Sequence, residues 1–274
     1  MDETKQLEQF ADYLERRAPG RRTTILYVSD VRQFATVKSK PWCEITMKDI
    51  DHFVDQQRQA GLSAATVKRR VAGLKVFFDF LAEESGDLSW VNPVRFKRHA
   101  GKQPRLLPRD LKDETVAQVW AVISHPRDCA WFVLLWRAGL RVGEVVRLRL
   151  IDLLAAPVNE QPARLRVMGK GQKERMVLLT ADAYAVLAAW LAERPAGDTP
   201  YIFLNERNQP LTVNGIEWLL RRYGQQVGLS ITPHQLRHTF ARQVTEAGMP
   251  ISSLSKLLGD QQIATTQINT AGAN

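Results

Sequence analysis

The sequence TPHQLRHTF, which runs from Thr232 to Phe240, predicts the start of a helix that carries chemistry. Proline favours the first turn of a helix, and Thr232 just before it is a suitable N-cap. His234 and Arg237 lie three residues apart and therefore share one helix face. An imidazole beside a guanidinium at a helix N-terminus forms a suitable phosphate site. The alternative is an ordinary surface His and Arg, so the interpretation depends on the rest of the chain.

The composition is that of a basic protein with enough apolar residues to form two domains. The chain has 274 residues, of which 45% are hydrophobic, and it contains seven tryptophans. Lys and Arg total 38 against 29 acidic residues, a net charge of +9. This charge favours a polyanionic partner, although many basic proteins have none.

Cysteine usage and hydropathy exclude several classes of protein. Cys43 and Cys129 are far apart, and the sequence has no C-x-x-C pair and no clustered histidines, which argues against a zinc site. The N-terminus is acidic, and no apolar run approaches the ~18 residues of a membrane span. We therefore expect a cytoplasmic protein with no metal and no membrane segment.

Residues 1–85 are predicted to form a small helical domain. Apolar residues recur at helical spacing, for example Ile25, Val28, Val31 and Phe34, and Thr46 and Ser63 are placed to begin two further helices. The first turns of the last helix are strongly basic and would contact either solvent or DNA phosphates. The candidate DNA contacts in this helix are Lys68, Arg69, Arg70 and Lys75.

Residues 86–112 are predicted to form a basic linker, because helical periodicity stops and Gly and Pro residues break the chain. Seven basic residues and one acid, Asp110, lie between Arg95 and Lys112. Such a linker either crosses a DNA backbone or is an ordinary solubilising hinge. If it crosses DNA, the candidate contacts are Arg95, Lys97 and Lys102.

Residues 113–274 are predicted to form the catalytic domain. Gly139 is suited to end one helix, and Arg141 with Glu144 opens the next. An arginine beside a tight apolar turn needs an anionic partner. Either Glu144 is that partner, or Glu144 supports an arginine aimed at an external phosphate.

A β-hairpin is predicted from the alternating stretches at 165–168 and 176–179. Its tip contains Gly169-Lys170-Gly171, but the spacing of a phosphate-binding P-loop is absent, so ATP binding is not expected. Lys170 is suited to donate a proton inside a groove, or it is a solvated turn lysine.

Four motifs occur in one order: GLRVGE at 139–144, GKG at 169–171, HQLRH at 234–238, and LLG at 257–259 followed by TTQI at 265–268. This order and spacing resemble the tyrosine recombinase (phage integrase) family, close to its Xer-like bacterial members. The resemblance implies a mainly α fold with a small β-sheet, built as a two-domain DNA clamp. Its parts would be a helical SAM-like core-binding domain and a tyrosine recombinase catalytic domain.

The resemblance also implies roles for individual residues. Arg141 and Arg237 would bind the non-bridging oxygens of the scissile phosphate and stabilise its pentacoordinate transition state. Lys170 would protonate the leaving 5′-oxygen, and His234 would assist proton transfer at the nucleophile. No cofactor is implied, because a covalent 3′-phosphotyrosyl bond conserves the energy of the phosphodiester. The supporting groups would be Glu144 and His238.

Two positions depart from the family pattern. Asp260 follows LLG where the family usually has a histidine, and Asn269 stands where the nucleophilic tyrosine is expected. An amide is not an oxygen nucleophile, so we expect that this chain does not cleave DNA by itself. Each departure is one base change away, which fits natural decay or deliberate inactivation. All the tyrosines precede the position of the nucleophile: Tyr13, Tyr27, Tyr184, Tyr201 and Tyr223.

Two functions follow from this interpretation. The first is a site-specific recombinase or integrase that binds duplex DNA but is cleavage-deficient in this form, or that depends on an active recombinase partner. The alternative is a non-enzymatic DNA-binding regulator or accessory subunit on a recombinase scaffold. The resemblance implies self-association on DNA as a dimer or tetramer. Relatives usually continue past the position of Asn274 into a helix docked on a neighbouring protomer, which weakens the expectation of a stable tetramer.

Overall fold

The computed structural model of the chain describes residues 3–20, 22–86, 90–100, 110–155, 162–169 and 174–259. The chain divides into two compact units, residues 1–105 and 106–274. In the described ranges both units are mainly helical, and the second contains a small three-stranded sheet. The predicted fold class, mainly α with a small β-sheet, is confirmed.

Capping residues set the helices of the N-terminal unit where the sequence predicts them. The Asp49 carboxylate accepts hydrogen bonds from the Thr46 N–H at 2.8 Å and from its hydroxyl at 2.6 Å. The hydroxyl bond is the main reason that the pKa of Asp49 is lowered to about 2. Ser63 Oγ accepts from the Thr66 N–H at 3.2 Å. The helices of this unit are α1 (Glu3–Arg17), α2 (Arg22–Val37), α3 (Met47–Gln59), α4 (Ala64–Ser85) and α5 (Phe96–His99).

An aromatic cluster forms the core of this unit. Phe77 meets Phe10 edge-on at 5.1 Å and Trp42 at 4.7 Å between ring centroids. Phe34 meets Phe53 in the same way at 4.9 Å. Edge-to-face pairs of buried rings add to the stabilisation from burial alone.

Both described ends of the predicted linker are packed rather than extended. Val94 and Ala100 are buried in the core of the N-terminal unit, and the His99 ring is fully buried beside Asp51. In the C-terminal unit, the Leu111 N–H donates to Thr239 Oγ1 at 2.9 Å. The structure therefore assigns residues 90–100 to the first unit. The boundaries 1–85, 86–112 and 113–274 stay a prediction.

The C-terminal unit packs its helices around the sheet. The strands β1 (Leu153–Ala155), β2 (Ala163–Met168) and β3 (Glu174–Leu179) are antiparallel in the order β1-β2-β3. One face of β2 and β3 is buried through Leu165, Val167, Val177 and Leu179. The helices are α6 (Asp113–Val122), α7 (Pro126–Trp136), α8 (Val142–Val145), α9 (Ala181–Glu193), α10 (Val213–Gln226), α11 (Pro233–Glu246) and α12 (Ile251–Leu258).

Helix α11 starts where the opening sequence motif predicts it. Thr232 Oγ1 accepts from the Gln235 N–H at 3.3 Å, and Gln235 Oε1 accepts from the Thr232 N–H at 2.9 Å. Pro233 occupies the first turn. This reciprocal cap fixes where α11 begins.

Candidate active site

The side chains of Arg141 and Arg237 meet at one backbone carbonyl. Arg237, which is only 3% exposed, donates from Nη1 to Gly139 O and from Nη2 to Leu258 O at 2.9 Å. Arg141 Nη1 donates to the same Leu258 O at 3.4 Å. Because one oxygen accepts from both residues, the two guanidinium groups lie side by side although they are 96 residues apart in the sequence (237 − 141).

The Glu144 carboxylate lies behind these arginines and is shared between two of them. It accepts from Arg141 Nη1 at 2.9 Å and from the Arg141 N–H at 2.8 Å. Arg175 on β3 grips the same carboxylate with both terminal nitrogens, at 2.7 and 2.8 Å. The first alternative from the sequence, Glu144 as the anionic partner of Arg141, describes these contacts, and an external phosphate for Arg141 stays a prediction. Arg175 was not predicted from the sequence.

The ionisation of Glu144 follows from these contacts. The side chain is 2% exposed, and burial alone would raise its pKa. The hydrogen bonds and charge of Arg175, together with those of Arg141, outweigh burial and hold the pKa of Glu144 below its usual 4.5. The cluster of Arg141, Arg175, Arg237 and Glu144 therefore has three positive charges against one negative charge, a net +2, which suits an anion.

The two histidines of the opening motif meet edge to face. The rings of His234 and His238 are 4.3 Å apart between centroids and nearly perpendicular, at 73°. His238 is buried and His234 is exposed. About one helical turn separates the two residues, so α11 presents both imidazoles on the same side of the helix.

Several predicted site residues lie outside the described part of the chain. These are the candidate general acid, the two positions that depart from the family pattern, and one linker cation: Lys170, Asp260, Asn269 and Lys102. Their roles stay predictions.

The basic residues of α4 are mostly paired within the protein. The Arg69 guanidinium donates to Asp30, and Arg70 Nε lies 3.7 Å from the same buried carboxylate. Lys75 Nζ is 2.6 Å from Asp79. Arg69 and Arg70 therefore share a buried anion, whereas the pair of Lys75 with Asp79 lies at the surface, and DNA contact by α4 stays a prediction. The predicted contacts that are exposed are Lys68, Arg95 and Lys97.

Within the described ranges, no group of three His, Cys, Asp or Glu side chains is placed to hold a metal ion. In the same ranges, no helix has the length and apolar character needed to cross a bilayer.

A mainly helical unit in which two arginines share one carbonyl oxygen beside a buried carboxylate offers a cationic site suited to an anion such as a phosphate. The chain belongs to the phage integrase family. The sequence pattern of the "Phage integrase family" matches residues 111–273, and that of the "Phage integrase, N-terminal SAM-like domain" matches residues 7–85.

Relatives and solved structures agree with this assignment. The tyrosine recombinase XerA of Pyrococcus horikoshii is 32% identical over 268 residues, covering 96% of this chain and 88% of that protein. The tyrosine recombinase XerD of Listeria monocytogenes is 35% identical over 235 residues, covering 81% and 76%. A crystal structure of XerA recombinase matches with a TM-score of 0.55 at 28% identity, covering 97% and 93%. The XerH recombinase bound to its palindromic difH substrate shares the fold, with a TM-score of 0.79 at 20% identity, covering 100% and 82%.

The depressed pKa of Glu144 predicts that acid destabilises the second unit. A carboxyl whose pKa is lower in the folded chain adds stability above its unfolded pKa, and this stability is lost as the pH falls through the folded value. We expect the unfolding free energy of the second unit to fall as the pH drops below 4.5, and Glu144→Gln to flatten that fall.

Urea unfolding from neutral pH to about pH 3 measures the slope. Glu193→Gln, at an exposed position on α9, is the matched control and should keep the wild-type slope. Equal slopes for the wild type and Glu144→Gln would contradict the prediction.

Proposed function

We propose that this chain is a site-specific DNA recombinase of the tyrosine family that binds duplex DNA and is cleavage-deficient in its present form. The convergence of Arg141 and Arg237 on Leu258 O carries the proposal. Arginine donors fixed in this way match the non-bridging oxygens of a phosphodiester. Glu144 holds Arg141 from behind and is itself held by Arg175, so the site is organised before a phosphate arrives.

The chemistry of the family needs one group that this chain lacks. In a competent site, a tyrosine oxygen attacks the phosphorus, the bond to the 5′-oxygen breaks, and that oxygen takes a proton from a general acid, for which we propose Lys170. A 3′-phosphotyrosyl bond forms, and attack by a 5′-hydroxyl later reverses it. Asn269 offers only an amide at the nucleophile position. The positively charged site would hold the phosphate without breaking it.

The alternative function is a DNA-binding regulator or accessory subunit that never cleaves. The absence of a tyrosine at position 269 favours it, and the organised arginine site favours a recombinase. Similar recombinases have been solved on DNA, among them a lambda integrase dimer on a COC′ core site. We propose that this chain also self-associates on its site, alone or with an active recombinase partner.

Covalent capture of DNA tests the proposal. The duplex that co-purifies with the protein is sequenced and resynthesised with a nick in each candidate position, and complexes are resolved on a denaturing gel. We expect no covalent complex with the unmodified chain and a clear one after Asp260→His with Asn269→Tyr. Duplex binding without capture in both proteins would support the regulator instead.

Duplex binding by the unmodified chain should depend strongly on salt. Each neutralised phosphate releases counterions, so the slope of log K against log[salt] is about −0.9 per phosphate. A recombinase that contacts at least ~6 phosphates should give a slope of about −5 or steeper. Fluorescence anisotropy across a salt series measures this slope, and an affinity nearly independent of salt would contradict duplex binding by phosphate contacts.

A further inference from the structure

Arg175 contacts more of the candidate site than its place in a β-hairpin suggests. It is the second residue of β3, and its side chain is only 11% exposed. Two of its nitrogens hold the Glu144 carboxylate, and its Nε donates to Leu257 O at 3.0 Å. The Arg175 guanidinium thus joins three elements: its own strand β3, helix α8 through Glu144, and the last turn of α12 through Leu257.

The end of α12 is shaped to fit this side chain. Gly259 directly follows α12 and has a φ of +64°, which disfavours other residues. A Cβ at Gly259 would also lie 3.1 Å from Arg175 Cδ and 3.4 Å from its Nη1. The backbone conformation therefore favours glycine at this position of the LLG motif, and a side chain there would also press on Arg175.

Removing Arg175 would leave the Glu144 carboxylate, which also contacts Arg141, with one cation fewer. Glu144 is 2% exposed, and a buried carboxylate is costly unless it is paired. Without Arg175, Arg141 would be the remaining cation in contact with Glu144 among the described residues. Arg141 would then be drawn onto the carboxylate and away from a phosphate.

We infer that Arg175 is a positioning residue for strand transfer: it neutralises Glu144 so that Arg141 serves the phosphate, and it anchors the end of α12 through Leu257 O. This inference rests on the proposed function. Along the chain, β3 follows the loop that contains Lys170, and Gly259 immediately precedes Asp260. Arg175 therefore ties the strand after the candidate acid to the helix before the nucleophile segment.

Hydrogen exchange in the chain that keeps Asp260 and Asn269 tests the anchor. Arg175→Gln should speed exchange of the amides in residues 251–259 by roughly tenfold or more, and peptides from α10 should be unchanged. Arg175→Lys should show a smaller effect, because it keeps the charge but loses the fork. The matched control is Arg166→Gln on the neighbouring strand β2, which removes an arginine that pairs with Asp152 at 3.0 Å and should leave exchange in α12 unchanged.

A second substitution that removes the Glu144 charge tests whether Arg175 keeps Arg141 available to the phosphate. In the chain that carries Asp260→His and Asn269→Tyr, Arg175→Gln should slow covalent capture at saturating DNA by roughly 10- to 100-fold, the range seen when groups that orient reactive ligands are lost. The DNA affinity should change far less. Adding Glu144→Gln should recover part of the rate, because no buried carboxylate then competes for Arg141.

The outcomes separate the inference from the proposed function. Wild-type exchange at residues 251–259 in Arg175→Gln would overturn the anchor, and a slowed capture that Glu144→Gln does not improve would overturn the charge role. If the doubly restored chain captures no DNA at all, the proposed function fails, and the exchange experiment still decides whether Arg175 anchors α12.

Discussion

Restoring tyrosine at position 269 alone is expected to yield little covalent DNA complex, whereas Asp260→His with Asn269→Tyr should yield roughly 100- to 1,000-fold more. The smaller effect of the single change follows from charge. Leu258 lies two residues before position 260, and its carbonyl already receives both arginines. A carboxylate about 4 Å from a guanidinium attracts it by roughly 4 kcal/mol near a protein surface, so Asp260 would compete with the phosphate. Loss of one transition-state donor costs about 10²–10³ in rate, which sets the expected ratio.

The two substitutions should therefore not be additive. Neighbouring groups that act as one unit give coupled effects. The variant Asp260→His alone should capture no DNA, because the nucleophile is still absent. The matched control is Asp260→His with Asn269→Phe, which supplies a ring without a hydroxyl and must remain inactive. Capture by that control or by the unmodified chain would show that another residue, such as Thr270 or one of the five tyrosines, attacks the phosphate.

Local sequence rules predicted much of the fold because caps and turns depend on neighbours in the chain. Thr46, Ser63 and Thr232 begin helices as predicted, and the hairpin joins β2 and β3. The spacing rule was less reliable for α2, where Ile25 is 69% exposed although Phe34 is buried. Nine residues at about 100° each place these two side chains on opposite faces of a helix.

The candidate site was only partly predictable because its supporting contacts are long-range. The motifs identified Arg141, Glu144 and Arg237, but the carbonyls of Gly139 and Leu258 that orient them follow from the packing of α11 and α12. The role of Arg175 could have been predicted from its position in the alternating pattern of β3. It lies on the same face of β3 as the buried Val177 and Leu179, and a cation on a core face needs a buried anion. The pairing of two α4 cations, Arg69 and Arg70, with Asp30 on α2 was likewise not predictable from local spacing.

Replacing Gly139 by alanine is expected to destabilise the second unit by about 2–5 kcal/mol and to displace Arg237. Gly139 has a φ of +62°, which costs an alanine about 1–2 kcal/mol. The new Cβ would also lie 2.3 Å from Phe240 Cδ1 and 3.1 Å from Leu258 Cδ2. Overpacking of this kind costs typically about 1–3 kcal/mol. Because Gly139 O accepts from Arg237, relief of the clash would move the arginine as well.

The variant Gly228→Ala separates the cost of the backbone conformation from the cost of overpacking. Gly228 has a similar φ of +70°, but a Cβ there meets nothing within 4 Å, so its alanine variant should lose only the backbone contribution of about 1–2 kcal/mol. Denaturant unfolding followed by hydrogen exchange of peptides from the second unit measures both variants. In the doubly restored chain, Gly139→Ala should also slow covalent capture, while Gly228→Ala should not. Equal destabilisation and equal capture for the two variants would mean that the contact of Gly139 with Phe240 and α12 does not hold the arginine in place.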